Sequence, residues 1–241
     1  MELLKVSNYD EMSERACSFI IEKINHTSLP VLGLATGSTP EGLYQHLIRS
    51  YQNDEASFNH VHTFNLDEYV GLPKADKNSY DYYMNEKLFK HIGIPREQTH
   101  LPNGNAPDLK QEASDYESLI QQTGNVDIQI LGLGLNGHIG FNEPGTPFSS
   151  RTHVVDLDDS TREANARFFS SINEVPEQAI TMGIETIMES NEIILLVSGE
   201  SKAAALARLM DGEVSEDFPA SILNRHPNVR IIADVAACSS L

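Results

Sequence analysis

The 241-residue chain has few cysteines, few basic side chains and no long apolar runs, and each shortage excludes a class of protein. Cys17 and Cys238 lie far apart and form neither a metal-binding nor a disulfide pattern. Only 17 Lys and Arg residues stand against 35 Asp and Glu, and the formal net charge of −18 argues against a nucleic-acid partner. No signal-peptide pattern and no run of membrane-spanning length is present. We therefore expect a cytoplasmic protein with reduced thiols and no membrane partner.

Apolar runs alternate with helical patterns along the whole chain, with no internal repeat or break in composition. This order predicts one domain over residues 1–241 with an α/β fold, an open and mostly parallel sheet with helices on both faces in a modified Rossmann-like arrangement. Strands are predicted at 1–6, 31–35, 61–66, 126–133, 151–157, 192–198 and 229–233. Helices are predicted at 8–25, 42–51, 80–91, 108–121, 161–169, 180–190, 203–210 and 219–223.

The stretch VDIQILGLGLNGHIGFNEPGTP, residues 126–147, runs from an apolar strand into a glycine-rich loop. An amide, an imidazole and a carboxylate follow within eight residues, at Asn136, His138 and Glu143, where loops of a parallel sheet form a ligand crevice. An ordinary turn is the structural alternative. The segment also matches GxGxxG, but the glycines and prolines after His138 cannot continue the helix that a dinucleotide site needs.

A second loop joins the strand at 31–35 to the next helix through TGSTPE. The hydroxyls of Thr36, Ser38 and Thr39 precede Pro40, and such a loop at a helix N-terminus suits an anion such as phosphate. N-capping by Ser38 or Thr39 explains the same residues equally well. The sequence leaves these two interpretations open.

Two further loops carry charged residues. Asp67 and Glu68 follow the strand at 61–66, which we take as central, and a partly buried carboxylate there is a candidate general base. Asp67 as the cap of a turn is an equal alternative. Lys202 opens the helix at 203–210, where an anion would offset its unfavourable position in the helix dipole, although a solvent-facing lysine costs little. His60 and His62 alternate on one strand face without a third metal ligand.

The motifs LGLATGSTPEGLY, FNLDEYVGL, LGLGLNGHIGFNEPG, SRT, NARFF and SGESKA resemble the glucosamine-6-phosphate deaminase family along nearly the whole chain. The pair NLDEYVGL and NGHIGFNEPG is highly specific for it. The resemblance implies conversion of glucosamine 6-phosphate and water to fructose 6-phosphate and ammonium, in amino-sugar catabolism, without a metal or other cofactor. Sugar-phosphate lactonases share the implied fold more distantly.

The same resemblance implies a role for each candidate residue. Asp67 moves the proton between C2 and C1, and His138, oriented by Glu143 with Asn136, opens the sugar ring. The implied substrate-binding residues are Thr36, Ser38, Thr39, Glu68, Gly137, Arg167 and Lys202. From the residues alone, Arg162 and Arg167 are ordinary surface charges.

The chain departs from longer, allosteric family members at two places. They carry an aspartate where this chain has Asn136, and an amide orients but takes no proton. They also carry basic residues where His153 and Val155 stand, and an extension beyond Leu241. We therefore expect an unregulated monomer or small homo-oligomer.

Two other functions compete with the deaminase. A lactonase would release no ammonium and would leave Asp67 without its role. A non-catalytic sugar-phosphate sensor would have no need of Asp67, His138 and Glu143 together.

Overall fold

The computed structural model describes residues 1–166 and 169–241. Strands of its main sheet are β1 (Glu2–Val6), β2 (Val31–Leu34), β3 (His62–Asn65), β5 (Thr99–His100), β6 (Ile128–Gly132), β9 (Ile193–Val197) and β10 (Val229–Asp234). These seven strands are parallel in the order β1-β10-β9-β6-β2-β3-β5. The predicted α/β architecture is confirmed.

The helices surround this sheet. They are α1 (Tyr9–His26), α2 (Glu41–Gln52), α3 (Tyr80–Lys87), α4 (Leu109–Thr123), α5 (Asp159–Asn165), α6 (Ile184–Met188) and α7 (Ala203–Met210). The side chain of Asn8 caps α1, as its sequence position indicates, by accepting a hydrogen bond from the backbone N–H of Glu11 at 3.0 Å. A 3₁₀ segment, Pro219–Arg225, forms the predicted helical turn before β10.

The sequence did not predict a second, three-stranded antiparallel sheet. It consists of β4 (Asp67–Tyr69), β8 (Gln178–Thr181) and β7 (His153–Asp156), in the order β4-β8-β7. The predicted helix over 180–190 is therefore wrong at its start. Ile180 and Thr181 are β-branched and fully buried between two strands, and α6 begins only after Gly183.

Two apolar clusters support the two sheets. The main core contains side chains from Val6 to Cys238 and covers the seven-stranded sheet. A smaller core of Tyr69, Phe141, Leu157 and Ala179 lies against the three-stranded sheet. The placement of Asp67 beside a central strand is also wrong, because β3 lies second from the edge and Asp67 belongs to the small sheet.

None of the helices in the described part of the chain is long and apolar enough to cross a bilayer.

Candidate active site

The loop after β6 brings Asn136, His138 and Glu143 together. Nδ1 of His138 lies 3.6 Å from Oε2 of Glu143, and the amide of Asn136 donates to that same oxygen at 2.7 Å. Oδ1 of Asn136 accepts a hydrogen bond from the backbone N–H of His138 at 3.1 Å. The amide thus orients both neighbours, as its chemistry predicts, but through the backbone of His138 rather than through its ring.

Glu143 stays ionised in this arrangement. Burial works against the charge, but the contacts with His138, Thr161 and Asn136 outweigh it and lower the pKa of Glu143 to about 2. Thr161 on α5 donates its hydroxyl to Oε1 of Glu143 at 2.5 Å. Sequence patterns do not indicate this contact, because Thr161 lies 18 residues further along the chain in a segment without a motif.

The loop reaches its shape through a close approach at Gly134. A Cβ atom on Gly134 would lie 2.4 Å from Cγ of His138, so only glycine admits the imidazole there. No helix follows Gly137 in the described loop, which consists of turns and a bridge between Ile139 and Asn142. This geometry does not provide the helix N-terminus that a dinucleotide pyrophosphate requires.

Asp67 faces the same loop from the small sheet. Its Oδ2 would lie 3.7 Å from a Cβ atom on Gly140. Asp67 is 6% exposed, and burial together with the adjacent charge of Glu68 raises its pKa to about 8. A carboxylate with a pKa near neutrality suits a general base, because such a group both accepts and releases a proton readily.

Glu68, the residue after Asp67, binds the backbone at the start of α3. The carboxylate of Glu68 accepts hydrogen bonds from the backbone N–H groups of Tyr69 at 2.8 Å and of Tyr80 and Asp81 at 2.9 Å each. Burial nevertheless raises the pKa of Glu68 to about 7. These contacts direct Glu68 toward the start of α3, and its predicted contact with substrate stays a prediction.

The loop after β2, residues 36–39, contributes Ser38 and Thr39 to a second part of the candidate site. Pro40, not Ser38 or Thr39, occupies the N-cap position of α2, and it makes no side-chain capping hydrogen bond. Their side chains line a cavity of about 410 Å³ together with Tyr9, Glu41, Gly42, Gln45 and Ser198. The N-capping interpretation is therefore wrong, and the hydroxyls face a cavity.

Two tyrosines that sequence reasoning missed hold this loop. The hydroxyl of Tyr9 donates to the carbonyl of Ser38 at 3.0 Å and accepts from the backbone N–H of Gly42 at 2.7 Å. The hydroxyl of Tyr83 donates to the carbonyl of Gly37 at 2.6 Å. Both tyrosines belong to helices whose sequence pattern gives no reason to separate them from core residues.

The loop after β9 lies on the other side of that cavity. Asp234 accepts hydrogen bonds from the hydroxyl of Ser198 at 2.5 Å and from the backbone N–H of Gly199, which fixes the start of the segment that carries Lys202. Lys202 ends a 3₁₀ turn, Glu200–Lys202, and α7 begins at the next residue. Arg167 lies outside the described residues.

The loops after β2, β6 and β9 meet at the carboxyl-terminal edge of the sheet, because these parallel strands are neighbours. Asp67 joins them from the small sheet. Away from this edge, the ring of His62 stacks on His100 at 5.7 Å. No group of three or more potential metal-ligating side chains occurs in the part of the chain that the structure describes.

A family model for glucosamine-6-phosphate isomerases and 6-phosphogluconolactonases matches residues 7–232. The chain belongs to this family. It is 62% identical over 241 residues to a glucosamine-6-phosphate deaminase from Oceanobacillus iheyensis, covering 100% of this chain and 96% of the relative. Its identity to glucosamine-6-phosphate deaminase 1 from Bacillus subtilis is 51%, over 99% of each chain.

Solved structures agree with these relatives. A monomeric glucosamine-6-phosphate deaminase of the NagB superfamily matches with a TM-score of 0.98 at 51% identity, over 100% of both chains. The 6-phosphogluconolactonase from Thermotoga maritima matches with a TM-score of 0.76 at 19% identity, over 97% of this chain and 98% of that one. At that identity the likeness is one of fold.

Proposed function

We propose that this protein is a glucosamine-6-phosphate deaminase, which converts glucosamine 6-phosphate and water to fructose 6-phosphate and ammonium. The observation that carries the proposal is the meeting of a buried carboxylate of raised pKa, Asp67, with the linked pair of His138 and Glu143 at one sheet edge. The full-length identity to deaminases supports it. A lactonase has no evident use for a second carboxylate base.

Each group in the site matches one step of this reaction. His138 takes the proton of the anomeric hydroxyl and delivers one to the ring oxygen, while the charge of Glu143 stabilises the imidazolium. Asp67 then moves the proton from C2 of the open sugar to C1, after which water replaces the amine as ammonium. Asn136 keeps His138 and Glu143 in place.

The phosphate belongs in the cavity of about 410 Å³ in this proposal. Ser38 and Thr39 offer hydroxyl donors, Lys202 and Arg167 supply positive charge, and Thr36 and the backbone at Gly137 position the sugar. Remote binding of the phosphate fixes the reacting carbons relative to Asp67, so that binding energy lowers the barrier.

The wider setting of the enzyme follows from the same relatives. We propose that residues 1–241 act as one domain, since one core extends from Val6 to Cys238, and that the protein is a monomer like the matched structure. Both cysteines are buried and free, which fits the proposed cytoplasmic location.

The test is the release of ammonium, coupled to the formation of fructose 6-phosphate, from glucosamine 6-phosphate without added metal. We expect equal amounts of both products, and a roughly 10²–10⁴-fold lower kcat in Asp67→Asn, the usual contribution of a general base. Asp127→Asn is the control, because Asp127 accepts a hydrogen bond from the backbone of Val31 at the opposite sheet edge. Binding of the sugar phosphate without ammonium release would favour a sensor. Hydrolysis of 6-phosphogluconolactone would favour a lactonase.

A further inference from the structure

Glu68 connects the two halves of the site. Its side chain, 4% exposed, lies in β4 beside Asp67 and points its carboxylate at the first turn of α3. Oε1 accepts from the backbone N–H of Tyr80 and Oε2 from that of Asp81, so both carboxylate oxygens fix the helix to the strand. A buried carboxylate with N–H partners on both oxygens holds its position firmly.

Helix α3 in turn holds the loop that faces the cavity. Tyr83, one turn after Tyr80, donates its hydroxyl to the carbonyl of Gly37 at 2.6 Å, and Tyr80 contacts Thr36 at the start of the same loop. A continuous path of hydrogen bonds therefore leads from strand β4 through Glu68 and α3 to residues 36–39. The strand carries the base, and the loop carries the hydroxyls of Ser38 and Thr39.

We propose that Glu68 is a positioning residue that holds Asp67 in register with the phosphate-binding loop, by fastening helix α3 to strand β4. This inference rests on the proposed function, since it assigns the base to Asp67 and the phosphate to residues 36–39. Glu68 acts through α3 and not by contact with the sugar.

The charge of Glu68 has a second, measurable effect on the base. Within the described residues, the titratable groups near the two carboxylates include His138 and Glu143 on the loop that Asp67 faces, Asp81, which pairs with Arg96, and phenols whose pKa values burial raises. These phenols are Tyr44, Tyr69, Tyr80 and Tyr116. The phenols are neutral at working pH. A neutral substitution at Glu68 therefore removes a negative charge from beside Asp67.

The decisive variant is Glu68→Gln, which keeps the size of the side chain but loses its charge and one acceptor. We expect kcat to fall about 10–100-fold, because misplacement of reacting groups by about 1 Å has an effect of that size. KM and the inhibition constant of inorganic phosphate stay unchanged. The acidic limb of the kcat/KM profile moves to lower pH, because Asp67 loses a neighbouring negative charge.

The matched control is Asp108→Asn. Asp108 caps α4 by accepting from the backbone N–H groups of Lys110 and Gln111 at 3.0 Å each, and α4 carries no site loop. Loss of a purely structural cap does not shift the pH dependence of kcat/KM, so we expect an unshifted profile in Asp108→Asn. A raised KM with unchanged kcat in Glu68→Gln would overturn the inference and make Glu68 a direct substrate contact. An unshifted acidic limb would also overturn it.

A second variant covers the case that Glu68→Gln does not fold. Tyr83→Phe removes the bond to Gly37 at the other end of the path, and we expect a lower kcat there as well. If both single variants fold, the double variant should lose less than the product of the two single losses, because both break one path. Independent, multiplicative losses, or full activity in Tyr83→Phe, would overturn the inference.

The wild-type assay distinguishes a failure of the proposed function from a failure of the inference about Glu68. A wild type that releases no ammonium overturns the proposed function and the inference together. If the wild type is active and Glu68→Gln has the same kcat and the same kcat/KM profile, the inference alone is overturned.

Discussion

The main sheet and the small sheet of this protein divide stability and chemistry between them. The central part of the main sheet contains strands whose residues are all apolar and buried, such as β2 and β9. The small sheet contains three short strands, and its β4 carries two buried carboxylates. Buried carboxylates destabilise a fold unless they are protonated or paired, so the small sheet gives up stability that the main sheet supplies.

The largest expected effect is on the main sheet. Leu195, fully buried in β9, pairs in register with Leu131 on one side and Ile231 on the other. We expect Leu195→Ala to lower the free energy of unfolding by about 4 kcal/mol, the loss of buried methyl groups plus the cavity that remains. Urea denaturation measures this loss. The activity per folded molecule stays at the wild-type value, and a large loss of kcat in folded protein would contradict the division of roles.

The next effect concerns the pH dependence of stability at Asp67. Because its folded pKa of about 8 lies above its unfolded value, the native state binds the proton more tightly, and the stability falls as pH rises between the two. From pH 6 to pH 9 we expect the wild type to lose roughly 3 kcal/mol relative to Asp67→Asn. Urea denaturation of both proteins at both pH values gives this difference. Equal slopes would mean that Asp67 has an ordinary pKa.

The smallest expected effect on stability is at Thr181, which links the small sheet to the loop that carries His138 and Glu143. Its hydroxyl accepts a hydrogen bond from the backbone N–H of Phe141 at 3.2 Å, and β8 pairs it with Asp67. We expect Thr181→Val to lower the free energy of unfolding by only about 1 kcal/mol. The kcat should fall about 10-fold, because the loop shifts relative to Asp67. A loss of stability without a loss of kcat would show that the two sheets do not differ in role.

The same division explains what the sequence could predict. Strands such as β2 and β9 are fully buried and form continuous apolar runs, so their positions and the loops after them were predicted. Strands β4, β5 and β8 have two to four residues each and include polar side chains, which resemble a loop or the start of a helix. For that reason the sequence did not predict β5 in the main sheet or β4 and β8 in the small sheet, whereas a strand was predicted where β7 lies.

The site residues divide in a similar way. His138, Glu143 and Asp67 lie within motifs, and the sequence predicted them as site residues from those motifs. Tyr83 and Asp234 act through partners far away in the chain, and only the fold shows that their polar atoms reach the loops. Sequence spacing contains no information about such contacts.

The pairing of Asp67 with Thr181 has a consequence for synthesis of the chain. The proposed base, Asp67, occupies its final place only when β8 lies beside β4, and more than a hundred residues separate the two strands. Contacts between distant segments close late, because the chain between them must first be brought together. A ribosome-bound chain that ends before Gln178 contains every loop motif up to Glu143 but cannot yet hold Asp67 against β8. We therefore expect activity only after the last quarter of the chain has been synthesised.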